Sequence, residues 1–171
     1  QKVTSENGAP GLVIEASRGV PTKHFKINDT AFGQMATHAG IDTRTARRLQ
    51  LGYSKQYDNL LNAIWDKEAT VRMIRTHLNI EKEAGTVGDD GVVRAWVSDK
   101  FKTFDNSNLL ESILPPLMEK NLQVVSADLS EKRMYLRLKS LDQLGTGANV
   151  GDHMANGIGF GNSEVGAGSV N

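Results

Sequence analysis

Residues 133–139, Arg-Met-Tyr-Leu-Arg-Leu-Lys, alternate polar and apolar side chains without a break. Successive side chains of a β-strand point to opposite faces, whereas a helix would scatter this pattern around its circumference. The segment therefore predicts a strand over a core, with Met134, Leu136 and Leu138 inward and Arg133, Tyr135, Arg137 and Lys139 outward. Any fold for this chain must supply a sheet with one wet face and something apolar to cover the other.

A second β-rich run, Val-Val-Arg-Ala-Trp-Val at residues 92–97, follows Gly91. The same rule expects Val93, Ala95 and Val97 inside, with Arg94 and Trp96 outside. Each run has a strand-like neighbour. Residues 70–78 precede the 92–97 run across a Glu- and Gly-containing stretch, and residues 122–127 precede the 133–139 run across the turn-forming Asp128-Leu129-Ser130-Glu131. Between the two pairs, Asn106 or Ser107 can cap a helix that buries Leu109, Leu110, Ile113 and Leu114, with Pro115-Pro116 disrupting its end. The order β-β-α-β-β over residues 70–140 makes the fold class α+β: β-hairpins packed on helices.

Residues 25–69 read as mainly helical. Asn28 or Asp29 can cap a helix whose Phe32, Met35 and Ala36 share a face, with Ala39-Gly40 as the stop. Asp42 or Thr43 can cap a second short helix, and the pair outlines a helix-turn-helix that would show Thr43, Arg44, Arg47 and Arg48 to duplex DNA. Tyr57, Leu60, Leu61, Ile64 and Trp65 then have the spacing of a buried helical stripe. Residues 1–24, rich in Gly and Pro, are expected to be an irregular lead-in with one edge strand at most. Eight glycines between 145 and 168 predict a loop followed by glycine-broken strands over residues 141–171. The 171 residues are expected to form a single domain.

Composition narrows the chemistry. Lys+Arg and Asp+Glu both number 20, so attraction to a polyanion must come from local clustering. Cysteine is absent, which removes disulfides, thiolate metal sites and cysteine nucleophiles, and fits a reducing cytoplasm. No run of 18 apolar residues predicts a membrane span. The chain begins with Gln1 and stops at Asn171 within a patterned stretch, and we expect it to belong to something longer.

Gly157-Ile-Gly159-Phe-Gly161 fails the dinucleotide fingerprint, since Asn162 and Glu164 stand where a third glycine would be needed. No Gly-Lys-Ser/Thr triplet forms a phosphate loop. His24, His38, His77 and His153 are scattered, and Asp152-His153 has no second ligand at a usual spacing. Asp89-Asp90 and Asp128 with Glu131 read as solvated turn carboxylates. No catalytic residue, metal or cofactor is expected.

What remains is a surface of cations interleaved with rings. Guanidinium and ammonium groups follow phosphates, while exposed rings stack on unpaired bases. The expected contacts to single-stranded DNA are Arg94, Trp96, Arg133, Tyr135, Arg137 and Lys139, with Arg72 and Arg75 as secondary ones. The alternative is a protein-interaction or host-takeover factor that uses the same exposed rings.

Several blocks occur in order: residues 93–106 (Val-Arg-Ala-Trp-Val-Ser-Asp-Lys-Phe-Lys-Thr-Phe-Asp-Asn), 124–127 (Val-Val-Ser-Ala), 133–138, and 162–169 (Asn-Ser-Glu-Val-Gly-Ala-Gly-Ser). Together they resemble the phage- and plasmid-related family called domain of unknown function 932, over residues 25–171. That setting implies DNA replication, recombination or transfer. In outline the expected fold is similar to single-strand annealing proteins of the RecT type. The resemblance implies ATP-independent strand annealing by a homo-oligomer, a ring or a filament, with no membrane partner.

Overall fold

The computed structural model describes residues 1–6, 9–15, 21–68, 70–78, 90–140 and 157–168. They form an α+β fold divided into two compact units, Gln1–Phe101 and Lys102–Asn171.

In the first unit the chain runs β1 (Lys2–Glu6), β2 (Ala9–Ile14), β3 (Lys23–Ile27), α1 (Asp29–His38), α2 (Thr43–Gly52), α3 (Ser54–Lys67), β4 (Arg72–Leu78) and β5 (Gly91–Ser98). The caps start the helices where the sequence places them. Asn28 Oδ1 accepts from the Ala31 amide at 2.8 Å, and Asp42 Oδ1 accepts from Arg44 and Thr45. Gly40 ends α1 with a φ of 72°, a conformation that costs a side-chain-bearing residue more. The sheet order is β1-β2-β3-β5-β4, antiparallel except for the parallel β3–β5 pair. Its core joins Leu12, Phe25, Ile27 and Val93 from the strands to Phe32, Met35, Tyr57 and Leu61 from the helices.

The lead-in is a correction. Residues 1–24 hold the β1–β2 hairpin and the start of β3, not one edge strand. Gly11 and Pro10 are tolerated because Pro10 lies at the start of β2, beyond the part of that strand paired with β3. The outer strand β1 gains partners from α3. Val3 N–H donates to Asn62 Oδ1 at 2.8 Å, Asn62 Nδ2 donates back to Val3 O at 3.0 Å, and Ser5 Oγ donates to Asp58. One amide side chain thus stands in for a missing strand neighbour. Burial raises the Asp58 carboxyl above its ordinary range, opposed by the Ser5 hydrogen bond.

In the second unit, α4 (Asn106–Glu119) is followed by β6 (Leu122–Leu129), β7 (Met134–Ser140) and β8 (Gly157–Asn162), an antiparallel sheet in the order β6-β7-β8. The two hairpins expected to share one β-β-α-β-β core therefore lie in different sheets. Leu117, Leu136 and Leu138 form the centre of the second core, with Leu110, Ile113, Leu122 and Phe160 against it.

Three boundaries differ from expectation. Helix α4 continues through Pro115-Pro116, and Leu117 just beyond them is buried against β7, so tertiary burial outweighs the lost backbone bonds. Its N-cap position is Asp105, whose side chain makes no cap bond; Glu164 Oε1 accepts from the Asn106 amide at 2.8 Å instead. Strand β6 extends to Leu129, so Asp128 is a strand residue, and Ser130 with Arg133 closes the turn. Residues 141–156, including Asp152-His153, and Asp89 lie outside the described residues. No helix among the described residues is long and apolar enough to cross a membrane.

Candidate nucleic-acid interface

Strand β7 has the alternation its sequence requires. Met134, Leu136 and Leu138 are buried, while Arg133 beside the strand and Tyr135, Arg137 and Lys139 on it are exposed. Residues two apart on a strand stand about 6.8 Å apart, so the four side chains form a row along one face. As the central strand, β7 is flanked on that face from both sides. On one side Gly161, Gly159 and Gly157 lie opposite Tyr135, Arg137 and Lys139. On the other, Asp128 lies opposite Tyr135 and Ser126 opposite Arg137.

The glycine row decides the shape of this face. A Cβ at Gly161 would come within 3.3 Å of Tyr135 Cε1, so the tyrosine ring leans across bare backbone. A Cβ at Gly159 would meet nothing within 4 Å, which leaves open space beside Arg137. Asp128, Tyr135, Arg137, Gly159 and Gly161 line a cavity of about 430 Å³ here. That volume falls within the range of small-molecule sites.

Tyr135 is held in place and still offered to solvent. Arg133 Nη1 donates to its hydroxyl at 2.8 Å, and Arg133 Nη2 donates to the Ala167 carbonyl, while 47 % of the residue remains accessible. Both partners of Arg133 are neutral, so its charge is undiminished. The ion pairs Lys2–Glu15, His38–Glu68 and Arg47–Asp29 involve none of the cations on this face. A preordered ring beside cations that make no ion pair among the described residues can stack on a base and neutralise phosphates without first breaking a salt bridge.

The loop after β8 supports this face by using its own polar groups internally. Asn162 Nδ2 donates to Phe104 O and to Asn106 Oδ1, each at 2.9 Å; Ser163 Oγ donates to Lys132 O and accepts from Ala167 N. With Glu164 capping α4 and Val165 fully buried, residues 162–165 lock β8, α4 and the Arg133 loop together.

The other half of the expected interface is not there. Trp96 is a core residue at 6 % exposure. Register explains the error: Arg75 pairs with Ala95 and Thr76 with Val93, so Arg94 is an extra residue in β5. Such a bulge resets the alternation, putting Val93 and Trp96 on the same side. Trp96 stacks on Trp65 with ring centres 4.7 Å apart. Arg94 and Arg75 are half-buried and engaged by other groups, and Arg72 is half-buried with its Nε enclosed and without a partner among the described residues. Of the eight expected contacts, Arg133, Tyr135, Arg137 and Lys139 come together in the second unit. Arg72, Arg75, Arg94 and Trp96 belong to β4 and β5 of the first.

A second cavity, about 370 Å³, lies in the first unit against His38, Trp65, Glu68, Arg72 and Trp96. Trp96 Nε1 donates to His38 Nδ1 at 3.3 Å, and His38 Nε2 stands 2.8 Å from Glu68 Oε2. A proton on Nε2 satisfies both contacts and leaves neither ring nitrogen free as a base. Burial, aided by the Arg72 charge, lowers the His38 pKa, with Glu68 opposing. The relay is a structural tie between α1, β5 and the end of α3. The helix pair α1–α2 exists as expected, yet Arg47 binds Asp29 and lies 4.0 Å from the centre of the Phe32 ring, which makes it a brace between the helices. Among the described residues no group of His, Asp and Glu could hold a metal ion.

Sequence reasoning missed Asp128 and the glycine row. Gly-x-Gly-x-Gly at 157–161 is itself a period-2 signal: in a strand it clears three successive positions on one face. Comparison with protein families, curated proteins and solved structures returns no match.

Proposed function

We propose that the exposed face of β7 binds single-stranded DNA, with Tyr135 stacking on a base and Arg133, Arg137 and Lys139 meeting phosphates. The observation that carries this reading is the fixed, half-exposed Tyr135 ring in a row of cations that no carboxylate among the described residues pairs, beside a strand stripped to glycine on the same face. Duplex DNA hides its base faces, so an exposed ring offers it little; an unpaired strand can use both features. The resemblance to a phage- and plasmid-related family, and the annealing role it implies, belong to the same proposal. So does assembly of several copies. Strand β6 is an edge of its sheet among the described strands, exposes Val124 and Val125, and offers unpaired backbone to a second chain.

Fluorescence anisotropy with labelled single strands tests the proposal. Tyr135→Ala should weaken binding by about 1–3 kcal/mol. Arg137→Ala should lower the dependence of log affinity on log salt by about 0.7, the single-strand value for one lost phosphate contact. Trp96→Phe should leave affinity unchanged. Absent binding, or binding indifferent to salt, would refute the reading; a nuclease-resistant protein partner captured on the same face would favour the protein-interaction alternative.

A further inference from the structure

We propose that the β7 face selects guanine, with Asp128 and Arg137 reading one base held against Tyr135. The inference rests on the single-strand reading above and names what the same site prefers.

Asp128 is the observation that demands explanation. A carboxylate in a site for a polyanion weakens binding to every phosphate nearby. Yet Asp128 lies directly across from Tyr135 in the β6–β7 register and lines the same cavity as Arg137, Gly159 and Gly161. It is exposed and makes no hydrogen bond or ion pair with another described side chain, so both carboxylate oxygens are open to a ligand. Cross-strand neighbours have Cβ atoms about 5 Å apart. Tyr135 leans the other way, onto Gly161, which leaves room on the side of the carboxylate.

A base stacked on the ring would therefore turn an edge toward an acceptor-only group. Guanine presents two adjacent donors, N1–H and the 2-amino group, that match two carboxylate oxygens. Adenine and cytosine put a ring acceptor beside their amino group, and thymine flanks its single N–H with two carbonyls; each places an acceptor against the carboxylate. At a guanine, Arg137 exchanges the phosphate it meets beside other bases for the remaining edge, since guanidinium pairs in two-pronged fashion with guanine O6 and N7. An acid and an arginine lining one cavity with glycines fit guanine better than the other DNA bases, which offer a carboxylate only one donor group.

The test uses the full chain and thymine oligonucleotides of roughly 12 nucleotides, unsubstituted or carrying one central guanine, adenine or cytosine. The single guanine should bind about tenfold tighter than the all-thymine strand, the lower part of the range for one two-pronged contact. Asp128→Asn, at an exposed position, should abolish that preference while the all-thymine strand binds as well or better. Equal affinity for all four strands, still lost in Tyr135→Ala, would overturn base selection and leave strand binding standing. A guanine preference that survives in Asp128→Asn would overturn the role of the carboxylate. Free guanosine monophosphate competing as well as the guanine-bearing strand would overturn recognition within a strand, and failure of every oligonucleotide to bind would overturn this inference together with the function beneath it.

Discussion

Replacing Trp96 by alanine tests the β5 register that turns this ring into the core shared with Val93. The side chain is 6 % exposed, and a buried tryptophan removes about 150–250 Å² from water, worth roughly 4–6 kcal/mol at about 25 cal/mol per Å². The extended-chain reference makes this an upper value, and measured Trp→Ala losses in cores are about 3–5 kcal/mol. The stack on Trp65 and the hydrogen bond to His38 fall within that figure. We expect a loss of about 4 kcal/mol, a large share of the roughly 5–15 kcal/mol that stabilises a typical domain. Both tryptophans of the chain, Trp65 and Trp96, lie in the first unit, so in Trp96→Ala the fluorescence of Trp65 alone follows that unit through a urea titration. The midpoint should fall steeply while the second unit, followed by amide exchange on β7, keeps its protection. A loss below about 1 kcal/mol at unchanged denaturant slope would place Trp96 on the surface and refute the bulge at Arg94 as the cause of its burial.

Two further outcomes follow from groups that the units use internally. The His38 pKa is lowered in the folded state, so below the ordinary value of 6.5 the unfolded chain takes up a proton that the folded one resists. Stability of the first unit should be full above that pH and fall as the pH drops through it, and His38→Gln should flatten this part of a urea-midpoint-against-pH profile; an unaltered slope would contradict it. In the second unit, Asn162→Ala strips hydrogen bonds from Phe104 O and Asn106 Oδ1. The expected cost is about 1–3 kcal/mol, read as roughly tenfold faster amide exchange in β7 and β8 for each 1.4 kcal/mol lost.

How far the sequence discloses this molecule depends on whether a feature is local. Asn28 and Asp42 cap their helices through bonds three residues long, and β7 shows its two faces by simple alternation. Val93, Ala95 and Val97 are buried as the alternation requires, but Trp96 between them is buried too, because the extra residue Arg94 turns it to the side of Val93, and nothing in Val-Arg-Ala-Trp marks Arg94 as that residue. The cap of α4 was hidden for a different reason. The carboxylate that serves it, Glu164, is 58 residues away in sequence. Helix α4 outlasts its prolines because Leu117 has a leucine-lined sheet to meet, and that sheet is invisible from the helix sequence alone. The candidate site was half legible on the same grounds: its cations and ring share one strand, whereas Asp128 and the glycines join them only through register with β6 and β8.

The distribution of satisfied groups bears on which unit suits the proposed binding. In the first unit, polar and aromatic groups close on one another: Trp96 on His38, His38 on Glu68, Arg47 on Asp29 and Phe32. Releasing any of them to a ligand would sacrifice an internal contact, and a buried partner left behind costs about 1–3 kcal/mol. In the second unit the polar groups of residues 162–164 are consumed in the same way, but to an opposite end, because they fix the loop whose Ala167 carbonyl holds Arg133, and Arg133 holds Tyr135. With a formal net charge of zero, the chain as a whole has no pull on a polyanion. The proposed binding then requires short-range contacts from groups already positioned, and the β7 face has a ring held by one cation, with two more cations in the same row.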